Sequence, residues 1–153
     1  MSRRRTGGLL IIAGVVLVLI SSLAAAFGGA DLIAVGGPGY LLVGVCLGLL
    51  GAGVALLSID RPIFGGTLAR RGLKTLAIGL LGGSVTISLM ALPGFEGWKV
   101  MTLFVPFFVF AWATIIGAGM TVLALIAAGG RPRIVGVMSL VVVLGLFVAN
   151  AAR

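Results

Sequence analysis

Few residues in this chain could do chemistry: they are the carboxylates Asp31, Asp60 and Glu96 and the thiol of Cys46. The chain contains no histidine. Two carboxylates around a bound water could act as general acid and base, but each acid here lies in a short connection between apolar stretches. Without histidine, the chain lacks the usual acid–base group and the commonest metal ligand. We therefore expect no enzyme activity, no catalytic residue, no metal and no cofactor.

The other polar groups are single hydroxyls and one amide scattered through apolar sequence: Ser21, Ser22, Ser58, Ser84, Thr86, Ser88, Thr102, Thr114, Thr121, Ser139 and Asn150. Ion-coupled transporters and pumps generally carry ionisable groups within the bilayer, and none lies in these stretches. Hydroxyls that bond to backbone would favour a non-catalytic accessory or structural subunit of a larger membrane complex, which is our leading hypothesis. Hydroxyls that converge on one cavity would favour a transport component for a small solute or lipid.

Five apolar stretches position these groups and account for nearly all of the 153 residues, of which 61% are hydrophobic and 9% charged. Crossing a hydrocarbon core of about 30 Å takes roughly 20 helical residues. Continuous apolar runs are typical of helices, whereas membrane strands alternate. The sequence predicts one all-α integral membrane domain, a bundle of about five transmembrane helices over residues 7–27, 40–59, 75–92, 100–128 and 134–151.

The first stretch has two interpretations. Its basic start, apolar run and three consecutive alanines ending at Ala26 are also found in signal peptides. The run is longer than the roughly 7–15 apolar residues of a signal peptide, so we expect an uncleaved membrane anchor.

The basic residues predict the orientation of the chain in the membrane. With five spans, nine of the eleven fall on one side, and only Lys99 and Arg153 fall on the other. The nine are Arg3, Arg4, Arg5, Arg61, Arg70, Arg71, Lys74, Arg131 and Arg133. We expect a cytoplasmic amino terminus, an outside carboxyl terminus, contact with anionic lipid headgroups and location in a prokaryotic plasma membrane. Scattered cations without interleaved aromatics argue against nucleic acid as a partner.

Small residues recur at spacing four in two stretches: Gly44, Gly48 and Ala52 in the second, and Gly79 and Gly83 in the third. Such a stripe lets helix backbones approach closely, and packing drives helix association in lipid. The stripes would pack either within the chain or against a partner subunit. Either way, we expect Gly48→Leu or Gly83→Leu to disrupt assembly.

An aromatic cluster surrounds Pro106 in the fourth stretch: Phe104, Phe107, Phe108, Phe110 and Trp112. Because proline lacks the backbone N–H that would bond the Thr102 carbonyl, we expect a bend or a compensating hydrogen bond there. The aromatics would contact lipid, or form a groove for a quinone, lipid or pigment, or a docking face for another protein.

Three features carry a resemblance to a known family. They are the turn Gly37, Pro38, Gly39, Tyr40 before the second stretch, the basic connection from Arg61 to Lys74, and the break Gly129, Gly130, Arg131 before the last stretch. In these the chain resembles the small membrane subunit of the tripartite tricarboxylate transporters. It departs from that pattern at Leu41 and Leu42, where an aromatic and a proline are usual, and in lacking a final Leu-Pro. The resemblance implies an accessory subunit beside a large membrane subunit and an extracytoplasmic solute-binding protein.

Overall fold

The computed structural model describes residues 3–26, 37–59, 66–92 and 98–151, with side chains over 5–20, 39–59, 66–92, 101–145 and 148. In these ranges the chain forms five α-helices and no strand. The prediction of an all-α protein from continuous apolar runs is therefore confirmed.

The helices extend beyond the apolar stretches at their amino ends. They are α1, Arg3–Ala26; α2, Gly37–Ile59; α3, Thr67–Met90; α4, Trp98–Ala127; and α5, Gly130–Ala151. The largest difference is at α3, because we expected residues 60–74 to be a connection. Hydropathy marks where a helix can enter hydrocarbon, whereas leucine, alanine, arginine and lysine extend the helix into the polar region.

Glycines mark two helix boundaries. Gly66, with φ of 121°, precedes α3. Gly129 and Gly130, with φ of 71° and 59°, form the predicted break between α4 and α5. These positive φ values strain residues that carry a Cβ, so glycine suits all three positions, and between α4 and α5 it permits the chain to reverse tightly.

Three segments are long and apolar enough to cross a membrane: Gly39–Ile59, Thr67–Met90 and Met101–Ala128. Their 21, 24 and 28 residues correspond to about 32, 36 and 42 Å of helix, against a hydrocarbon core of about 30 Å. Within the described residues, Arg5–Ile20 is a shorter apolar helix.

Helices that follow one another in sequence pack as antiparallel neighbours, α1 on α2, α2 on α3, α3 on α4 and α4 on α5. Among the described residues, only one other pair of helices touches, and it does so marginally. The helices therefore form an open row, in which neighbours in sequence are neighbours in space, as the short connections predicted. Short connections explain the neighbour pairing, but they do not require the first and last helices to meet.

The buried positions of the row hold mostly small residues. Ala69, Ala77 and Cys46 are at most 5% exposed, and no large side chain in the described ranges is fully buried. Large apolar side chains point outward instead; Val105 and Trp112, for example, are 69% and 61% exposed. This distribution is the reverse of a soluble core and suits helices that pack through small residues in lipid.

Candidate functional site

The contact between α2 and α3 brings together small residues that the sequence singled out. A Cβ on Gly44 would fall on Ser88 Oγ and lie 3.2 Å from the Ser84 carbonyl oxygen. A Cβ on Gly48 would lie 2.9 Å from Ser84 Oγ. Ser84 Oγ donates a hydrogen bond of 2.6 Å to the Gly44 carbonyl oxygen. Gly44 and Gly48 thus pack within the chain, joined by an interhelical hydrogen bond.

The contact between α3 and α4 is the tightest in the row. A Cβ on Gly79 would lie 2.5 Å from the Thr114 backbone nitrogen and 2.8 Å from the Phe110 carbonyl oxygen. On the facing helix, a Cβ on Gly117 would lie 2.7 Å from Leu76 Cα. Nonbonded carbons normally stay about 3.5–4.0 Å apart, so the two backbones leave no room for a methyl group.

The two stripes therefore do not simply pack on each other, because Gly79 faces α4. Gly83 is buried, yet a Cβ there would meet only Leu47 Cδ1, at 3.9 Å. The neighbouring Gly82 makes the close contact, since a Cβ on it would fall within the Phe110 ring. Ala52 is only half-buried.

Sequence reasoning missed the contact between α1 and α2. A Cβ on Gly7 would lie 3.0 Å from the Gly53 carbonyl oxygen, and one on Gly53 would lie 2.8 Å from the Gly7 carbonyl oxygen. Two helical turns further along α1, a Cβ on Gly14 would lie 2.8 Å from Leu50 Cγ. The spacing of seven between Gly7 and Gly14 was the available signal, because seven residues return to nearly the same helix face.

Hydroxyls in four helices donate to backbone. Besides Ser84, each bonds the carbonyl three or four residues earlier in its own helix: Ser58 to Ala55 at 2.7 Å, Thr86 to Gly82 at 2.8 Å, Thr114 to Phe110 at 2.9 Å, Thr121 to Gly117 at 2.8 Å and Ser139 to Val135 at 2.8 Å. Within the described residues, these donors are committed to backbone and not to a shared cavity.

The aromatic cluster separates into an exposed part and a half-buried part, the latter being Phe107 and Phe110. Phe104, Phe108 and Trp112 follow at spacing four on one exposed face of α4, here termed the aromatic face. The ring centroids of Phe104 and Phe108 are 6.4 Å apart, and those of Phe107 and Phe108 are 6.1 Å apart at 65°. The helix continues through Pro106, and the predicted bend stays a prediction.

The described basic side chains lie at one end of the row, because antiparallel packing puts the amino ends of α1, α3 and α5 together. All of them are exposed: Arg5, Arg70, Arg71, Lys74, Arg131 and Arg133. Arg3 and Arg4 begin α1 at the same end. The described ranges contain no carboxylate side chain, so these cations have no acidic partner there; Asp31, Asp60 and Glu96 lie outside the described residues.

An apolar groove of about 400 Å³ runs between α4 and α5, here termed the α4–α5 groove. Its α4 wall extends from Ile115 to Ile126, and its α5 wall from Ser139 to Val143. The helices meet at the end nearer the turn, where a Cβ on Gly136 would lie 2.9 Å from Ile126 Cγ1. This packing is the least extensive in the row.

No protein family model, curated protein or solved structure matches this chain. Of the residues behind the transporter resemblance, Gly37 and Pro38 form the start of α2, where proline suits the first turn. Part of the basic connection is helical from Thr67. Membership of the tripartite tricarboxylate transporters stays a prediction.

Proposed function

We propose that this chain is a multi-pass integral membrane protein that serves as a non-catalytic accessory or structural subunit of a larger membrane complex. The observation that carries the proposal is the open row of helices. α2 and α3 use small residues to pack on both of their neighbours, whereas α4 packs on α3 through Gly117 and receives Gly136 of α5 against Ile126. This packing leaves two broad faces of large apolar side chains. Apolar surface on this scale needs a cover of lipid or of another membrane protein.

In this proposal all five helices cross the plasma membrane of a prokaryote, with the amino terminus in the cytoplasm. The exposed cations gathered at one end of the row support that orientation, since basic residues are retained on the cytoplasmic side. The first two turns of α3, which carry Arg70, Arg71 and Lys74, would then extend into the headgroup layer and contact anionic lipids.

The aromatic face is the surface that we assign to the partner subunit. Phe108 and Trp112 are 58% and 61% exposed, and aromatic side chains supply most of the energy at protein interfaces when a partner covers them. The small-residue contacts are already used inside the chain, which leaves this face for an external contact.

The hydroxyl pattern favours a subunit over a transport component. A solute path through the chain would need polar side chains free to line it. The described hydroxyls that bond to backbone, such as Thr86, Thr114 and Thr121, offer no such lining.

The test is purification of the tagged full chain from its own cells in mild detergent, followed by mass spectrometry and size measurement. We expect a larger membrane protein at fixed stoichiometry. Phe108→Ala with Trp112→Ala should release it, whereas Val109→Ala, at an equally exposed position on a different face of α4, should not. Recovery of the chain alone or as a homo-oligomer would overturn the subunit proposal and lead to transport assays.

A further inference from the structure

We propose that the α4–α5 groove holds one acyl chain of an anionic phospholipid, with Arg133 and Arg131 binding its phosphate. The inference rests on the membrane location in the proposed function and is independent of a partner subunit. Four observations carry it: the position of the arginines, the length of the groove, its width and its lack of free polar groups.

The arginines lie where the groove would meet the headgroup layer. Arg133, Gly136, Leu140 and Val143 follow at spacings of three and four, so they share one face of α5. Leu140 and Val143 line the groove, and Arg133 is exposed on the side of the turn. Arg131 stands in the same first turn, and long arginine side chains can reach along the membrane interface.

The α4 wall of the groove has the length of one leaflet, and α5 covers the part of it that faces Ser139 to Val143. That wall runs over the twelve residues from Ile115 to Ile126, whose eleven rises of 1.5 Å span about 16 Å. Half of a hydrocarbon core of about 30 Å is ~15 Å. An acyl chain whose headgroup sits beside Arg133 would therefore extend along the groove and end near the middle of the membrane.

The width of the groove fits a hydrocarbon chain better than a helix. A volume of about 400 Å³ over ~16 Å gives a mean cross-section of ~25 Å², or a width of ~5–6 Å. That is close to the packing width of one methylene chain, because nonbonded carbons sit about 3.5–4.0 Å apart. A helix of ~10 Å diameter is about twice as wide as the groove and could enter it only with its side chains.

The chemistry of the groove also matches a lipid. Its one hydroxyl, on Ser139, already donates to the Val135 carbonyl, so an apolar chain displaces no hydrogen bond. In the described ranges Arg131 and Arg133 have no carboxylate partner, which leaves their guanidinium groups available to a phosphate.

The test uses the delipidated full chain in mild detergent and native mass spectrometry. The protein is titrated with phosphatidylglycerol and with phosphatidylcholine of the same acyl chains. Wild type should prefer phosphatidylglycerol, and Arg131→Gln with Arg133→Gln should weaken its binding by roughly fivefold per arginine at low salt. The comparison pair, Arg70→Gln with Arg71→Gln, removes the same charge at the same end of the row. Because these arginines contact anionic headgroups away from the groove, their loss should weaken phosphatidylglycerol binding less than the loss of Arg131 and Arg133 does.

A second pair of variants tests the groove itself. Gly119 lies in the α4 wall, and a Cβ there meets nothing within 4 Å, so Gly119→Leu should fold normally while blocking the acyl chain. It should weaken binding of both lipids. Gly145 has the same open surroundings but lies nine residues from Gly136, on the opposite face of α5, and Gly145→Leu should bind as wild type.

Two results would overturn the proposal: equal losses from the two arginine pairs, which indicate a diffuse basic surface, or equal behaviour of Gly119→Leu and Gly145→Leu. If Gly119→Leu instead abolishes recovery of a partner or of a second copy, the occupant of the groove is a helix. The lipid assay uses the isolated chain, whereas the subunit proposal is tested by the Phe108 and Trp112 variants, so each can fail without the other.

Discussion

Replacing Gly117 by alanine is the sharpest test of the packing that holds the row together. The new Cβ would lie 2.7 Å from Leu76 Cα and 2.9 Å from the Gly72 carbonyl oxygen, both backbone atoms that cannot rotate away. To restore a carbon–carbon distance of about 3.5 Å, α3 and α4 must separate locally by ~0.8 Å. A gap of that size forfeits about a quarter to a half of the dispersion attraction across the contact.

We expect Gly117→Ala to lower the free energy of unfolding by about 1–3 kcal/mol, the usual cost of overpacking a close contact. Gly119→Ala is the matched control, because the same methyl group on the same helix meets nothing within 4 Å. Any gain in helix propensity from alanine is common to both variants, so the difference between them isolates the contact.

The assay is denaturation in mixed micelles of mild detergent and SDS, followed by the fluorescence of the two tryptophans, Trp98 and Trp112, both in α4. Helix content is a poor probe here, since helices persist in the unfolded state of a membrane protein. Equal stability of the two variants, or a larger loss in Gly119→Ala, would refute the close approach of α3 and α4.

Three further predictions follow from described contacts and charges. Ser84→Ala should lower the free energy of unfolding by about 0.6–1.7 kcal/mol, because it removes the hydrogen bond to α2, and the same denaturation assay measures this loss. Ser139→Ala removes only a hydrogen bond within its own helix and should leave the free energy of unfolding nearly unchanged. The Cys46 thiol, 5% exposed, should react with maleimide only as the protein unfolds, so a thiol-reactive dye should report the same midpoint as fluorescence; fast reaction of the folded protein would contradict its burial. In a Cys46→Ala background, Ala152→Cys should be labelled by an impermeant maleimide in intact cells and Ser2→Cys only after lysis; the reverse pattern would contradict the cytoplasmic amino terminus.

The number and type of helices could be predicted because apolar runs separated by charges leave little choice of structure. Their starts could not, as Thr67 shows: it lies in a basic, moderately polar stretch whose residues form helix without being apolar. Hydropathy does not predict such extensions of a helix into polar sequence.

The packing faces were only partly predictable. Gly44 and Gly48 were recognised because spacing four repeats in one stretch, and both face α3. Spacing cannot say which neighbour a glycine meets, because that depends on how each helix is rotated. Gly79 therefore turned out to face α4, and the close contact near it belongs to Gly82 and not to Gly83. The α4–α5 groove had no sequence signal, since it arises where two helices diverge beyond Gly136.

The open row has a consequence for how the protein is made. Each helix packs on the helix synthesised just before it, so a newly inserted helix finds its partner already in the membrane and never waits for a later one. Because each helix packs mainly on its sequence neighbours, a terminal helix can be removed without loss of the other helix contacts, as in repeat proteins. A chain stopped at Ala128 would keep the α1–α2, α2–α3 and α3–α4 contacts and give up only the loosest junction.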